Sequence, residues 1–400
     1  MMRIFVPSKS WPAVILILLL ATGCNFPGIE QVTQPSPATI TPSSPAAQSD
    51  VPAAPEAAPL LPHSVYFLSE RSGSRQVWRL EGVGASQAQV THEANDVLAF
   101  DVSRIDGSVA FVVDNQLYLV DADGSERRLM VDNASADIEA AAYFYTQRIS
   151  DPRISPDGRY LAYAYDGLWI VDLTTNQAIH PLQNQMEATE NETLAAEKYY
   201  APLAWAPDSQ QLLLSVGGSE TSTLAFWNPA AVSSVSEVES DTGLVCCQAA
   251  WAPDSTSALV ASPYAGLIEA GLWRYDALAG VETRLLEAER DGLFQFAGWP
   301  LQLADGELQY FYASTAEIPE GDVPLYMVRS SGDGVSGRTQ LRSDAFSNIA
   351  EALWAEDGAL ALVVQARLDG GLGGSVVLAF SDGRQLQLLL DSAFQIRWGP

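Results

Sequence analysis

One tight turn recurs along this chain at a near-constant distance from a second recurring segment. The turn appears as Ser155-Pro156-Asp157-Gly158, Trp205-Ala-Pro-Asp-Ser209, Trp251-Ala-Pro-Asp-Ser255 and Trp354-Ala-Glu-Asp-Gly358, with weaker copies at Val102–Gly107 and Gly298–Pro300. Proline presets φ, the aspartate carboxylate can bond nearby backbone, and glycine tolerates positive φ. After the first of these turns, Arg159 to Tyr165 alternates bulky and small residues with period two, which is strand behaviour. Asp166-Gly167 turns the chain again into the apolar run Leu168–Val171. That run has counterparts at Val77–Leu80, Leu117–Val120, Leu224–Trp227, Leu272–Tyr275, Leu325–Val328 and Val376–Ala379, seven copies in all. A spacing of roughly 40 to 55 residues, with units rich in Val, Trp, Tyr and Leu, belongs to four-stranded propeller blades. The expected fold is therefore all-β: a seven-bladed β-propeller of four-stranded antiparallel blades, rather than one of six or eight.

The ring needs a closure, and the last residues offer one. The first unit begins with Val65–Leu68, continues at Val77–Leu80 and near Gln87–Thr91, and has no inner strand of its own. Phe394–Trp398, followed by Gly399-Pro400, carries the inner-strand pattern of the other units. It is expected to complete the first blade, which would remove an exposed sheet edge. Residues 63–400 are assigned to the propeller.

The N-terminus reads differently. Arg3 and Lys9 precede the apolar run Ala13–Leu20, which is too short to span a bilayer, and then comes Ala21-Thr22-Gly23-Cys24. Residues 1–23 read as a signal peptide. Residues 24–62, with eight prolines from Pro35 to Pro62 among Ala, Ser, Thr and Gln, read as an extended tether. The chain holds 49 acidic and 21 basic side chains, a net charge of −28. Such acidity argues against nucleic-acid binding and against an electrostatic grip on anionic lipid.

In a propeller the first-to-second and third-to-fourth turns share one rim, and the remaining connections share the other. The Pro-Asp-Gly turns decorate the first rim. The long segments fall on the second: Asp132–Ile149 with Tyr143, Phe144 and Tyr145, and the acidic, partly helical Gln183–Tyr200 ending in Tyr199 and Tyr200. Long loops on a rigid scaffold commonly carry binding. These five aromatic residues are the candidate binding face, with folding back to cap the channel as the alternative.

The Trp-x-Pro-Asp-Gly/Ser turns followed by Leu-Trp/Tyr-x-Val-Asp strands resemble the WD40-like (PD40) propeller repeats of the TolB family, over about residues 64 to 400. Ala21-Thr22-Gly23-Cys24 resembles a bacterial lipobox, which implies lipidation of Cys24 and anchoring of an extracytoplasmic protein to the cell membrane or outer membrane; a monomer is expected. TolB itself has six blades, an extra N-terminal domain and no lipid anchor, so the resemblance speaks to fold more than to function.

Chemistry is sparse. The same repeats accompany a hydrolase domain in prolyl-oligopeptidase-type enzymes, but no Gly-x-Ser-x-Gly elbow occurs here. His63, His92 and His180 are the only histidines. No ligand spacing for a metal is apparent, and no cofactor is expected. Asp121-Ala-Asp123-Gly124 reads as a turn, and Asp101 and Asp106 as turn or channel residues. Adjacent Cys246 and Cys247 permit a strained vicinal disulfide, or two reduced cysteines acting as small packed apolar residues. The expectation is a non-catalytic scaffold for an envelope protein or glycan. The alternative is a lactonase-like or glycoside-processing enzyme at the channel mouth.

Overall fold

The computed structural model describes residues 61–83, 85–135, 147–188, 194–217, 222–231, 235–238, 248–262, 270–318, 323–369 and 371–400. Cys24, Tyr143, Phe144, Tyr145, Cys246 and Cys247 lie outside the described residues. Residues 57–400 form one compact unit. Within it, nearly all regular structure is antiparallel sheet; among the described residues, helix occurs only at Gln147 and in a short turn at Pro229–Ala231.

Among the described residues, three sheets have four strands, paired in chain order: residues 99–132, 150–183 and 248–286. Two have five, residues 185–237 and 289–346, each beginning with a short extra strand. The last sheet has seven strands. Its Ile349–Trp354, Leu360–Ala366 and Gly374–Phe380 are joined through Gln387–Trp398 to Val65–Ser69, Gln76–Leu80 and Gln87–Gln89. Gln387–Trp398 therefore serves two partners. Its first half pairs with Gly374–Phe380 (Leu390 opposite Val376), and its second half with the first strand of the chain (Trp398 opposite Val65). Within the second pairing the register slips between Phe394 and Arg397, where Gln395 has φ +49°.

Every second strand is buried on both faces. Val109–Val113 and Ser257–Ser262 have no exposed residue, whereas the outer strand Arg128–Asp132 is largely exposed. The reason is that the sheets pack face to face, and the apolar clusters are shared by two successive sheets, except one that joins the two halves of the seven-stranded sheet. Ala162, Leu168 and Ile170 of one sheet meet Trp205, Leu212, Leu214 and Trp227 of the next. Tyr66, Leu68 and Val77 meet Phe100, Val109 and Phe111 in the same way. Each such side chain contributes about 1.5–3 kcal/mol by leaving water.

The innermost strands also touch in succession. Ala99–Val102 contacts Ser150–Ile154, which contacts Leu194–Trp205. Gln248–Trp251, Leu293–Gln302, Ile349–Trp354 and Gln387–Trp398 follow, and the last touches Ala99–Val102 again.

Two local readings change. Among its described residues the segment Gln183–Tyr200 is strand and not helix: Gln185–Ala188 and Leu194–Trp205 are paired with each other, as Gln185 with Lys198. The inner strand runs on beyond its own sheet, and the extra strand satisfies the backbone groups of that extension. Gly298-Trp299-Pro300 is not a turn after an inner strand. It lies inside Leu293–Gln302, bulged where Trp299 has φ +49°, and the turn comes later, at Asp305-Gly306.

Candidate functional site

Antiparallel pairing puts the first-to-second and third-to-fourth connections of each sheet at one end of the strands, and the other connections at the opposite end. The first rim is built from repeated local chemistry. The carboxylates of Asp106, Asp157, Asp208, Asp254, Asp305 and Asp357 each accept the backbone N–H two residues on, at 2.9 or 3.0 Å. Asp123 does the same for Ser125 at 2.9 Å, so the Asp121–Gly124 segment is a turn, as read from the sequence.

Asp172 caps Thr174 and pairs with Arg159. The Thr174 hydroxyl first, then Arg159 and backbone N–H groups, hold its carboxyl well below the usual range against a smaller opposing effect of desolvation. Asp333 is held down to about 2 by the Ser336 hydroxyl and the N–H groups of Val335 and Ser336.

Two features of this rim reach across sheets. The indole N–H of Trp205 donates to Arg153 O at 3.0 Å, and that of Trp251 to Ala204 O at 2.9 Å. Trp354 reaches Trp299 O and Trp398 reaches Trp354 O, both at 2.7 Å. The recurring tryptophan is thus a clasp onto the preceding inner strand. The turn serines form a second link. Ser209 and Ser255 hold φ of +60° and +62°, where Gly158 and Gly358 stand in other copies. Their hydroxyls accept the N–H of Asp157 at 3.0 Å and of Asp208 at 3.1 Å from the preceding turn, which offsets the left-handed backbone.

The opposite rim is irregular. Between the sheets 150–183 and 185–237 lies a cleft of about 480 Å³, lined by Arg148, Ser150, Asp151, Asn184, Tyr199 and Tyr200 among others. Asp151 has φ +52°, and its carboxylate accepts the Ser150 hydroxyl at 2.7 Å. Tyr199 is half-buried and pairs with Gly217, where an added Cβ would meet the ring at 1.9 Å. The glycine is what lets the ring lie there. Tyr200 is 3% exposed, packs in the core with Leu168, Ile170 and Trp205, and donates its N–H to Asn184 Oδ1 at 3.0 Å. Of the two described tyrosines, Tyr199 is on the rim and Tyr200 is in the wall behind it.

A second cavity, of about 490 Å³, lies among the inner strands. Sequence reading left Asp101 and Asp106 undivided between turn and channel. Asp106 is in the turn, and Asp101 faces this cavity. Asp101 Oδ2 accepts Ile154 N–H at 2.7 Å, and Oδ1 lies 3.5 Å from Arg397 Nε. Burial pushes the Asp101 carboxyl above its usual value, opposed by Arg153 and Arg397. Arg397 Nη1 donates to Glu351 Oε1 at 2.9 Å, while Glu351 Oε2 accepts Ile396 N–H at 3.0 Å. Arg153 and Arg397 were not singled out in the sequence. Aligning the copies would have found them: Asp101, Arg153, Ala204, Ala250, Leu353 and Arg397 each immediately precede the last residue of an inner-strand motif.

The histidines do not converge. His180 stacks on Trp169 with centroids 4.4 Å apart, and His63 stands edge-on to Trp398 at 6.3 Å. No cluster of three metal-ligating side chains occurs among the described residues.

No protein-family model and no curated relative matches the chain. Solved structures do match it. An oligogalacturonate lyase from Vibrio parahaemolyticus is 10% identical, with 82% of this chain and 86% of that one covered and a TM-score of 0.53. A puromycin-hydrolyzing peptidase from Mycobacterium tuberculosis is 14% identical over 83% of this chain and 52% of its own, also at 0.53. TolB from Acinetobacter baumannii is 16% identical, covering 71% of this chain, at a TM-score of 0.44. The chain spans 62% of that TolB and about half of the peptidase. At these identities the likeness is one of fold. The chain is a β-propeller protein, and its neighbours include a lyase and a peptidase.

Proposed function

We propose that this chain is a seven-bladed propeller that binds an envelope protein or glycan through its irregular rim and performs no chemistry there. The blade count is supported by the succession of inner-strand contacts that returns to Ala99–Val102. Residues 1–23 act as a lipoprotein signal peptide, Cys24 as the lipidated residue and residues 24–62 as a tether, which places the propeller outside the cytoplasm on a membrane. Uptake of labelled fatty acid by the wild type, abolished by Cys24→Ser, tests the anchor.

The observation that carries the binding reading is the cleft of about 480 Å³ beside Tyr199. An aromatic ring held across a glycine supplies contact area at little entropy cost, and the polar groups around it can fix a partner's orientation. Its counterpart at the other rim is made of turns whose polar groups bond to one another. The experiment is a photo-crosslinking side chain placed at residue 199 or at residue 208, activated in the native envelope. A discrete crosslinked species from position 199 and none from 208 supports the reading; the reverse pattern overturns it. The second reading, an enzyme at the channel mouth, draws on Asp101 with its raised carboxyl. Hydrolysis of a lactone or glycoside panel, lost in Asp101→Asn, would favour it.

A further inference from the structure

The channel cluster has more donors than acceptors. Three of the four carboxylate oxygens of Asp101 and Glu351 already accept N–H groups, from Ile154, Ile396 and Arg397. The fourth, Asp101 Oδ1, faces Arg397 Nε at 3.5 Å. On the cationic side, Arg153 uses Nε on Leu203 O at 2.6 Å and Nη1 on Pro152 O at 2.8 Å. Arg397 uses Nη1 on Glu351 and on its neighbour's carbonyl, Ile396 O, at 2.8 Å. Among the described residues, the Nη2 of neither arginine has an acceptor. Arg104, the third cation at the cavity, is paired with the exposed Glu356 at 2.7 Å.

The cavity is also two-sided. The arginines come from inner strands of residues 150–154 and 387–398, whereas the walls from residues 194–205, 248–251 and 349–354 present Ala204, Ala249 and Ala352, with Glu351 of the last strand already engaged by Ile396 and Arg397. Small residues there leave room, and their surface is apolar. Two guanidiniums with free edges inside a low-dielectric wall attract an anion far more than they would in water, even in a chain of net charge −28. Burial and the nearby Arg397 lower the proton affinity of Arg153, opposed in part by Asp101, Asp151 and Glu351, and an added anion would act in the same sense as those carboxylates.

We propose that the channel binds a small carboxylate with an apolar body, its head on Arg153 and Arg397 and its body against the alanines. The ligand chemistry is shared by free short-chain acids and by the C-terminal carboxylate of a peptide with an apolar last residue. This site is separate from the rim cleft and does not depend on what binds there.

The test uses tryptophan fluorescence of the whole protein, because Trp205, Trp299 and Trp398 line the cavity. Hexanoate and acetyl-alanyl-leucine are titrated at constant ionic strength, beside their neutral amides hexanamide and acetyl-alanyl-leucinamide. A charged hydrogen bond contributes about 1.5–3 kcal/mol, which corresponds to roughly 10- to 100-fold. At least one carboxylate should give a saturable change, and its amide should bind at least tenfold more weakly. Hexanoate binding points to a free acid, and binding of the peptide alone points to a chain terminus; either supports the proposal. Arg397→Gln should weaken binding tenfold or more. Since Arg397 also joins two inner strands, Ala249→Leu is the companion variant: it fills the apolar side, leaves every charge in place, and should weaken binding with the melting temperature preserved. No saturable response to either acid, equal binding of acid and amide, or unchanged binding in Ala249→Leu overturns it.

Discussion

The two rims of this protein are made from the same strands and have opposite character. On the turn rim, polar groups are consumed locally: aspartates cap the chain two residues on, serines accept from the preceding turn, and indoles clasp the preceding inner strand. On the irregular rim, the inner strand Leu194–Trp205 overruns its sheet, Asp151 and Asp166 take left-handed backbone, and a cleft opens beside Tyr199. One rim holds the sheets together, and the other is left available. Mutations at the turn rim should therefore change stability, and exposed mutations at the irregular rim should change binding.

The largest expected effect is at the clasp of the terminal strand. Trp398 is buried and donates to Trp354 O, so Trp398→Ala should cost about 3–5 kcal/mol. Against typical totals of about 5–15 kcal/mol, that is a large fraction, visible in urea unfolding. A midpoint within error of the wild type would mean the strand does not hold the unit together.

Next is Tyr200, which lies behind the cleft and in the core. Tyr200→Ala should cost a comparable amount, about 3–5 kcal/mol. A small loss there would show that the wall of the cleft is separable from the core, and would blur the contrast between rims.

Ser209 gives a finer test of the turn rim. Ser209→Ala removes the acceptor of Asp157 N–H while keeping a Cβ at φ +60°, and should cost about 1–2 kcal/mol. Ser209→Gly also removes the acceptor but relieves the left-handed backbone, by about 1 kcal/mol, and should be nearly neutral. Equal losses in the two variants would show that the hydroxyl, and not the backbone, decides.

The smallest effect is a pH dependence. Asp333, held down to about 2, has a folded value below its unfolded one. Its contribution is present above the unfolded value, near 3.9, and is lost as pH falls toward 2. Asp333→Asn should flatten that part of the stability curve and leave the curve above pH 5 unchanged in shape. A curve of unchanged slope below pH 4 would place the acid sensitivity elsewhere.

Much of the architecture was legible because it is local. Turn chemistry at Asp208 and Asp254, strand alternation after Gly158, and the match of Phe394–Trp398 to other inner strands all sit within a few residues. What was not legible depends on partners about fifty residues away. The acceptor of the Trp205 indole is a backbone carbonyl, which carries no side-chain signature in the sequence. The channel charges were hidden because Arg153 and Arg397 look like ordinary polar strand residues until the copies are superposed. Glycine 217 gave no sign that a ring from another strand lies across it. The sequence assigns the five aromatic residues to one rim by the connections that carry them, and burial separates Tyr199 from Tyr200.

The division of labour between rims is tested most directly by measuring melting temperature and partner capture together for two single variants. Tyr199→Ser should keep the melting temperature within a degree or two of the wild type, on the order of a few tenths of a kcal/mol, and lose the envelope partner from a pull-down. Ser209→Ala should melt several degrees earlier and still capture that partner once folded. Capture retained by Tyr199→Ser, or lost by folded Ser209→Ala, would contradict the assignment of binding to the irregular rim.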